Sequence, residues 1–388
     1  MQLTLIEYRF ILIFCLFCFN CFSQEDTLIK RKKLLITTDK DTTLEFTGTR
    51  ISEREVDSEI GKLEIGGYVS TYYSHYSDEI TANDFVQFPT MAARNNQFGL
   101  NMVQLSMNYA SKTLRGNINL HYGDIPQSVW PQPFNAIQNA HIGLKLIKKL
   151  WLDAGFFKSH IGLESIQPRE NITSSMAVVS FHEPYYLSGA KLTYEVTSKL
   201  SLQLNAFNSF NGFVENNKNK AVGFSALYDL NDKISITYNI LTCDETPDNF
   251  NNNHQRIYQD LYATFKFKKL SFGVELNYGT QNNTLLSDTS KQAVMYSGLI
   301  VAKYQFLRKL AAYGRGEYFS DPNRILTGSL AIGNYIYGGT FGFEYKPLKN
   351  VSLSCEGRIL ESDNLIFKTK GYYLNQRSEI IGCLDIWF

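Results

Sequence analysis

From Lys62 to Phe388 the chain reads as a ladder of segments of about ten residues in which apolar and polar side chains alternate, the period-two pattern of strands with one apolar face. In 114–122, Leu114, Ile118, Leu120 and Tyr122 share one face, while Arg115, Asn117, Asn119 and His121 share the other. Residues 234–241 and 270–278 repeat the pattern. Sixteen such segments begin near Leu63, Phe98, Leu114, Asn139, Leu150, Tyr186, Leu200, Ala221, Ile234, Ile257, Leu270, Tyr296, Leu310, Thr340, Val351 and Glu379. The connections constrain the fold further. Those after even-numbered strands are tight, as in Ala110–Thr113, Thr197–Lys199 and Lys346–Asn350. Those after odd-numbered strands are long and polar, as in 78–97, 158–184 and 361–376. Every tight turn therefore falls at one end of an up-and-down sheet and every long loop at the other.

A sheet with one continuous apolar face can sit in lipid only if its edges are paired, because unpaired backbone groups there cost several kcal/mol each. The pattern predicts an all-β fold, a transmembrane antiparallel β-barrel of about 16 strands with short periplasmic turns and long external loops. Composition fits: Phe 27, Tyr 24 and Trp 3 accompany only 19% charged residues, below the roughly 25% of a soluble domain. A Tyr precedes the apolar start of the next strand by six residues in Tyr194/Leu200, Tyr228/Ile234, Tyr304/Leu310 and Tyr345/Val351, and Lys199, Lys233 and Lys309 occupy turns between them. That repeat places tyrosines at headgroup level and lysines in the water beyond. No run is long and apolar enough for a membrane helix; the longest uncharged ones are broken by Pro126, Pro131 and Pro133 or by glycines.

Ahead of the ladder, the apolar run 10–19 follows Arg9 and ends near the small residue Ser23. It reads as a signal peptide spanning 1–23, exported and then cleaved. Residues 24–60, with Lys30-Arg31-Lys32-Lys33, read as a polar periplasmic extension, and 61–388 as the barrel. Cleavage would leave Cys243, Cys355 and Cys383, an odd and widely spaced set that offers neither a disulfide framework nor a metal-binding motif. The sequence calls for no cofactor and no metal. A net charge of +1 gives no footprint for nucleic acid.

Residues 153–194 carry Asp153-Ala154-Gly155-Phe156-Phe157, then Gly162, Glu164, Pro168, Glu170-Asn171 and Ser174-Ser175, then Pro184, Gly189-Ala190 and Tyr194. This stretch resembles the OmpL-like β-barrel porin family of Gram-negative outer membranes. The resemblance implies an integral outer-membrane protein forming a passive or weakly selective channel. The terminal Phe388 on an alternating strand likewise resembles the signal read by the barrel-assembly machinery. In sixteen-stranded porins the third long loop commonly folds inward. Here that loop is 158–184, and it nominates Lys158, Glu164, Arg169, Glu170 and His182 as a constriction.

On the strand register the inward face carries Arg115, His121, His141, Lys145, Glu275, Arg315, Glu317, Glu356 and Arg358 as candidate lumen lining. Basic and acidic inward residues nearly balance, so the expected function is a water-filled, weakly selective porin for small hydrophilic solutes and ions. Two alternatives are an anion- or phosphate-selective porin and an adhesion barrel without conductance. The partners expected are outer-membrane lipid and the permeating solutes, and a homo-oligomer is compatible with this reading although nothing identifies a subunit interface. An enzyme is not expected: His121 and His141 point inward on neighbouring strands, but no nucleophile motif accompanies them.

Overall fold

The computed structural model describes residues 61–388 apart from 79–83, 89–90, 133, 216, 250–252, 329–332 and 370. The expected signal peptide and the segment 24–60 lie outside the described residues. Sixteen antiparallel strands form a closed barrel. The first eight are β1 (Lys62–Tyr76), β2 (Gln97–Ala110), β3 (Leu114–Tyr122), β4 (Ile137–Ile147), β5 (Leu150–Lys158), β6 (Tyr186–Glu195), β7 (Leu200–Phe207) and β8 (Ala221–Asn231). Then follow β9 (Ile234–Asp244), β10 (Gln255–Lys266), β11 (Leu270–Gln281), β12 (Ala293–Leu307), β13 (Leu310–Ser320), β14 (Ile336–Leu348) and β15 (Val351–Ser362). A small hairpin, β16 (Phe367–Thr369) and β17 (Tyr372–Leu374), stands in the last long loop before the sixteenth barrel strand, β18 (Gln376–Trp387). No barrel strand starts more than four residues from the position expected from the alternation.

The barrel closes where β18 pairs with β1, in register from Tyr68↔Trp387 to Tyr76↔Glu379. Gly67 and Phe388 exchange both backbone hydrogen bonds at 3.0 Å. The Phe388 ring covers Gly67 so closely that a Cβ there would overlap it. Closure leaves no strand edge unpaired, which is what lipid demands.

Outward positions follow the alternation: Leu114, Ile118, Leu120 and Tyr122 are exposed, and Arg115, Asn117, Asn119 and His121 between them are buried. At the tight-turn rim the repeat tyrosines sit directly across from leucines of the preceding strand, as Leu150↔Tyr194, Leu200↔Tyr228, Leu270↔Tyr304 and Leu310↔Tyr345. At the opposite rim Tyr296, Tyr318, Tyr335 and Tyr337 stack in sequence with centroids 5.9, 6.1 and 6.0 Å apart. The two rows are the aromatic girdles of a membrane barrel.

The inner face departs from a simple polar half. Towards the long-loop rim the inward positions include Phe157, Phe207, Leu241, Tyr258, Phe319 and Leu360, all buried in one cluster with Ile161, Leu163, Ile172, Val178 and Val179. The latter five belong to the connection between β5 and β6, which lies inside the barrel. Alternation cannot reveal this, because an inward apolar residue next to a folded-in loop breaks the pattern in the same way as one facing a gap. Burying each such side chain contributes about 1.5–3 kcal/mol.

Where that connection departs, Gly155 of β5 pairs with Gly189 of β6. Gly155 has φ +137°, and a Cβ there would collide with the carbonyl of Ala140 and lie 2.8 Å from Cα of His141. Those are backbone atoms and cannot swing aside. Gly155→Val is therefore expected to lower barrel stability by about 2 kcal/mol or more, measured as a lower midpoint in the heat-modifiable gel shift or in denaturant unfolding.

Candidate functional site: an inward-folded loop and the passage beside it

Residues 159–185 cross the lumen as an irregular loop with a single 3-10 turn at Pro168–Glu170 and a short helix, α1 (Val178–His182). A loop inside a barrel must satisfy its own backbone, and this one does so on the wall's carboxylates. Glu356 accepts from the amides of Ser174 at 2.8 Å and Ser175 at 3.1 Å, and Glu317 accepts from Val178 at 2.7 Å. Glu275 accepts from the amide of Leu163 at 3.1 Å. Arg315 donates to Thr173 Oγ1 at 2.9 Å, to the carbonyl of Ser175 at 2.6 Å and to Glu164 at 3.0 Å. Glu164 in turn accepts from the amide of Ala177 at 2.6 Å and from Ser180 Oγ at 3.0 Å.

The wall charges are themselves chained. Arg358 donates to Glu317 at 2.8 Å and reaches Glu379 at 3.5 Å, and Arg377 joins Glu379 to Asp78. The four residues Arg315, Glu317, Glu356 and Arg358 thus face the loop as a latch rather than open water. On the far wall Arg115 forms a bidentate pair with Asp153 at 2.7 and 2.5 Å, and its guanidinium lies over Trp151 at 4.5 Å. Lys145 also lies near this ring, at 5.7 Å.

The loop leans on one side of the barrel and leaves a cavity of about 320 Å³ on the other, against β1, β2 and β3. Its uncharged polar lining is carboxamide and hydroxyl: Gln104, Ser106, Asn108, Asn117 and Asn119, with Gln167 from the loop. These amides bond to one another, Gln167 donating to Gln104 at 2.5 Å, Gln104 to Gln138 at 2.8 Å and Asn119 to Asn139 at 2.8 Å. The charged lining is Glu64, Lys158, Arg169 and Glu170. Lys158 pairs with Glu170 at 3.0 Å, and the Arg169 guanidinium sits 5.0 Å from the Tyr68 ring. Burial opposes ionisation of Glu170, but Lys158, the Ser165 hydroxyl and Arg169 outweigh it and hold the carboxyl below its ordinary range.

Of the loop residues nominated from sequence, Lys158, Arg169 and Glu170 line this cavity, whereas Glu164 turns away to Arg315. His182 also lies away from it, stacked on Phe319 at 5.4 Å and edge-on to Phe88 at 5.5 Å. Burial lowers His182 to about 3 and His160 to about 4. His121 packs edge-on to Trp130 at 4.7 Å, and His141 lies against Phe157 at 4.9 Å. His141 pairs with Asn117 across the strands, not with His121. The amide row is the polar face of β2 and β3, where uncharged side chains carry no signal in the sequence beyond the alternation itself.

The profile of a family described as "Putative beta-barrel porin-2, OmpL-like" matches residues 62–388. The chain belongs to this porin family. A search of curated proteins by sequence found no match. Among solved structures, the chain is similar to OmpF of Salmonella typhi in complex with daunomycin, at 16% identity and TM-score 0.58, over 86% of this chain and 100% of that one. It is also similar to the channel DcaP of Acinetobacter baumannii, at 12% identity and TM-score 0.56, over 86% and 99%. The anion-selective porin from Comamonas acidovorans matches at 10% identity and TM-score 0.55, over 84% and 100%. These likenesses show a shared barrel fold, and it is the family match that makes the chain an outer-membrane porin.

Two outcomes follow from the latch. Arg315→Ala leaves Glu164 and Glu317 buried beside the loop with one cation fewer, a loss of about 3 kcal/mol, expected as faster hydrogen exchange at 160–183 and a noisier, larger conductance. For His182 the released form takes up a proton below its ordinary 6.5 that the docked form refuses until about 3. Docking therefore weakens as pH falls through that window, and single-channel recordings of His182→Phe should show a flatter pH dependence of loop opening than the native barrel.

Proposed function

We propose that this porin is a weakly selective diffusion channel for small hydrophilic solutes, with the loop 159–185 as its constriction and the amide-lined cavity beside β1–β3 as its passage. The observation that carries this reading is the lining itself. Two basic and two acidic side chains share the cavity, with Lys158 tied to Glu170. Selectivity between ions needs like charges gathered at the narrowest point, and here the charges oppose one another among neutral amides. Lys158, Arg169 and Glu170 are the constriction residues of this proposal, and Arg169 is the charge best placed to bias it. Residues 1–23 would direct export and be removed, 24–60 would lie in the periplasm, and Phe388 would be read by the assembly machinery. The protein carries out no chemistry on its solutes in this reading.

Reversal potentials in a tenfold potassium chloride gradient test it. The native barrel should give a cation-to-anion permeability ratio within about threefold of unity, and Arg169→Glu should shift it towards cations. A ratio beyond about tenfold in either direction overturns weak selectivity, and a folded, inserted barrel with no conductance overturns the channel reading in favour of a binding barrel.

A further inference from the structure

At its two ends the inward loop meets a second carboxylate group that the latch does not use. Tyr258 and Asp260 face inward from β10, and Glu275 and Asn277 from β11, with Asp260 directly opposite Asn277. Glu183 approaches them from the end of the loop. One carboxylate oxygen from each of Glu183, Asp260 and Glu275 lies within 4.8 Å of the others, and all three residues are buried.

Their donors are few and neutral. Tyr258 Oη donates to Glu183 at 2.8 Å, Asn277 Nδ2 to Glu275 at 3.0 Å, the Leu163 amide to Glu275 at 3.1 Å and Asn239 Nδ2 to Asp260 Oδ1. The ion pairs of the latch draw on Glu164, Glu317 and Glu379 and give these three carboxylates no basic partner. Burial, Glu275 and Asp260 together push the Glu183 carboxyl well above its ordinary range. Three carboxylates this close cannot all stay ionised without a counter-charge.

Two buried oxygens at the cluster have no donor. The amide of Gly162 approaches the Asp260 carboxylate from the loop side, yet Oδ2 has no hydrogen-bond partner, and Oδ1 of Asn277, the residue across from it on β11, has none either. Asp260 is 1% exposed and Asn277 4%. Either a proton held between these oxygens or a cation with both as ligands would satisfy them, and response to calcium as against response to acid separates the two. Room is also kept on the loop side: Gly162 has φ +96°, and a Cβ there would stand 2.5 Å from Glu183 Oε2.

We infer that Glu183, Asp260 and Glu275 bind one calcium ion, with Asn277 Oδ1 as a neutral fourth oxygen, and that the ion ties the end of the loop to the barrel wall. The donors are all oxygen, which selects a hard cation. The three carboxylate oxygens are close enough to share one ion, and an irregular set of carboxylate and carboxamide oxygens suits calcium, whereas magnesium demands near-octahedral geometry and keeps several waters.

The test uses the full-length barrel folded in detergent, stripped with a chelator and dialysed against calcium chloride, with bound metal counted by mass spectrometry. The native barrel should retain about one calcium that Asp260→Asn and Glu183→Gln both lose, and calcium should raise hydrogen-exchange protection of 160–185 in the native protein alone. Glu183→Gln lies on the loop, so it keeps the test open if Asp260→Asn fails to fold. Equal calcium in native and variant barrels, or none in the native one at millimolar calcium, overturns the inference. So does loop protection that rises on acidification and ignores calcium, because protons then neutralise the cluster. The inference rests on where the loop lies and not on what permeates: a barrel that binds calcium but does not conduct would refute the channel and leave this site standing.

Discussion

The interior of this barrel depends on backbone amides of a loop accepted by buried wall carboxylates. Ser174 and Ser175 on Glu356, Val178 on Glu317 and Leu163 on Glu275 fix the course of residues 159–185. Of these, Glu317 has its counter-charge at hand in Arg315 and Arg358, whereas Glu275 belongs to the group that lacks a basic partner. Charge-assisted bonds of this kind contribute about 1.5–3 kcal/mol each. Without them the apolar loop residues would have no fixed seat on Phe157, Phe207 and Phe319, and the passage beside β1–β3 would have no opposite wall.

The outer surface was legible in the sequence because lipid imposes one rule on every second residue and closure imposes another on every connection. The tyrosine repeat at Tyr194, Tyr228, Tyr304 and Tyr345 located the tight-turn rim for the same reason: headgroups select for a ring at a fixed depth. Inside, no single solvent sets the rule. Phe157 and Leu241 face inward because a loop distant in sequence covers them, and periodicity records only that they are apolar. Arg315, Glu317, Glu356 and Arg358 were recognisable as inward charges, but their loop partners were not, since Ser174 and Val178 contribute only backbone to Glu356 and Glu317. Glu183 and Asp260 lie 77 positions apart in the chain, and nothing local joins them.

The asymmetry of the lumen also explains why charge counting along the wall says little about permeation. Most inward charges are occupied against one another or against the loop. In the proposed channel a solute would meet the row Gln104, Asn117 and Asn119, whose amides offer both donors and acceptors. The barrel holds its strong electrostatics on the side the loop covers and presents near-neutral polarity on the side it leaves open.

The seam gives the molecule a temporal property as well as a spatial one. Tyr68 donates to Asp385 across 317 positions of sequence, so the strand made first can be completed only by the strand made last. Until β18 arrives, β1 and β15 each present a bare edge that neither lipid nor water-filled lumen can satisfy along its whole length. Closure in lipid is therefore a single event that waits for β18 to pair with both β1 and β15.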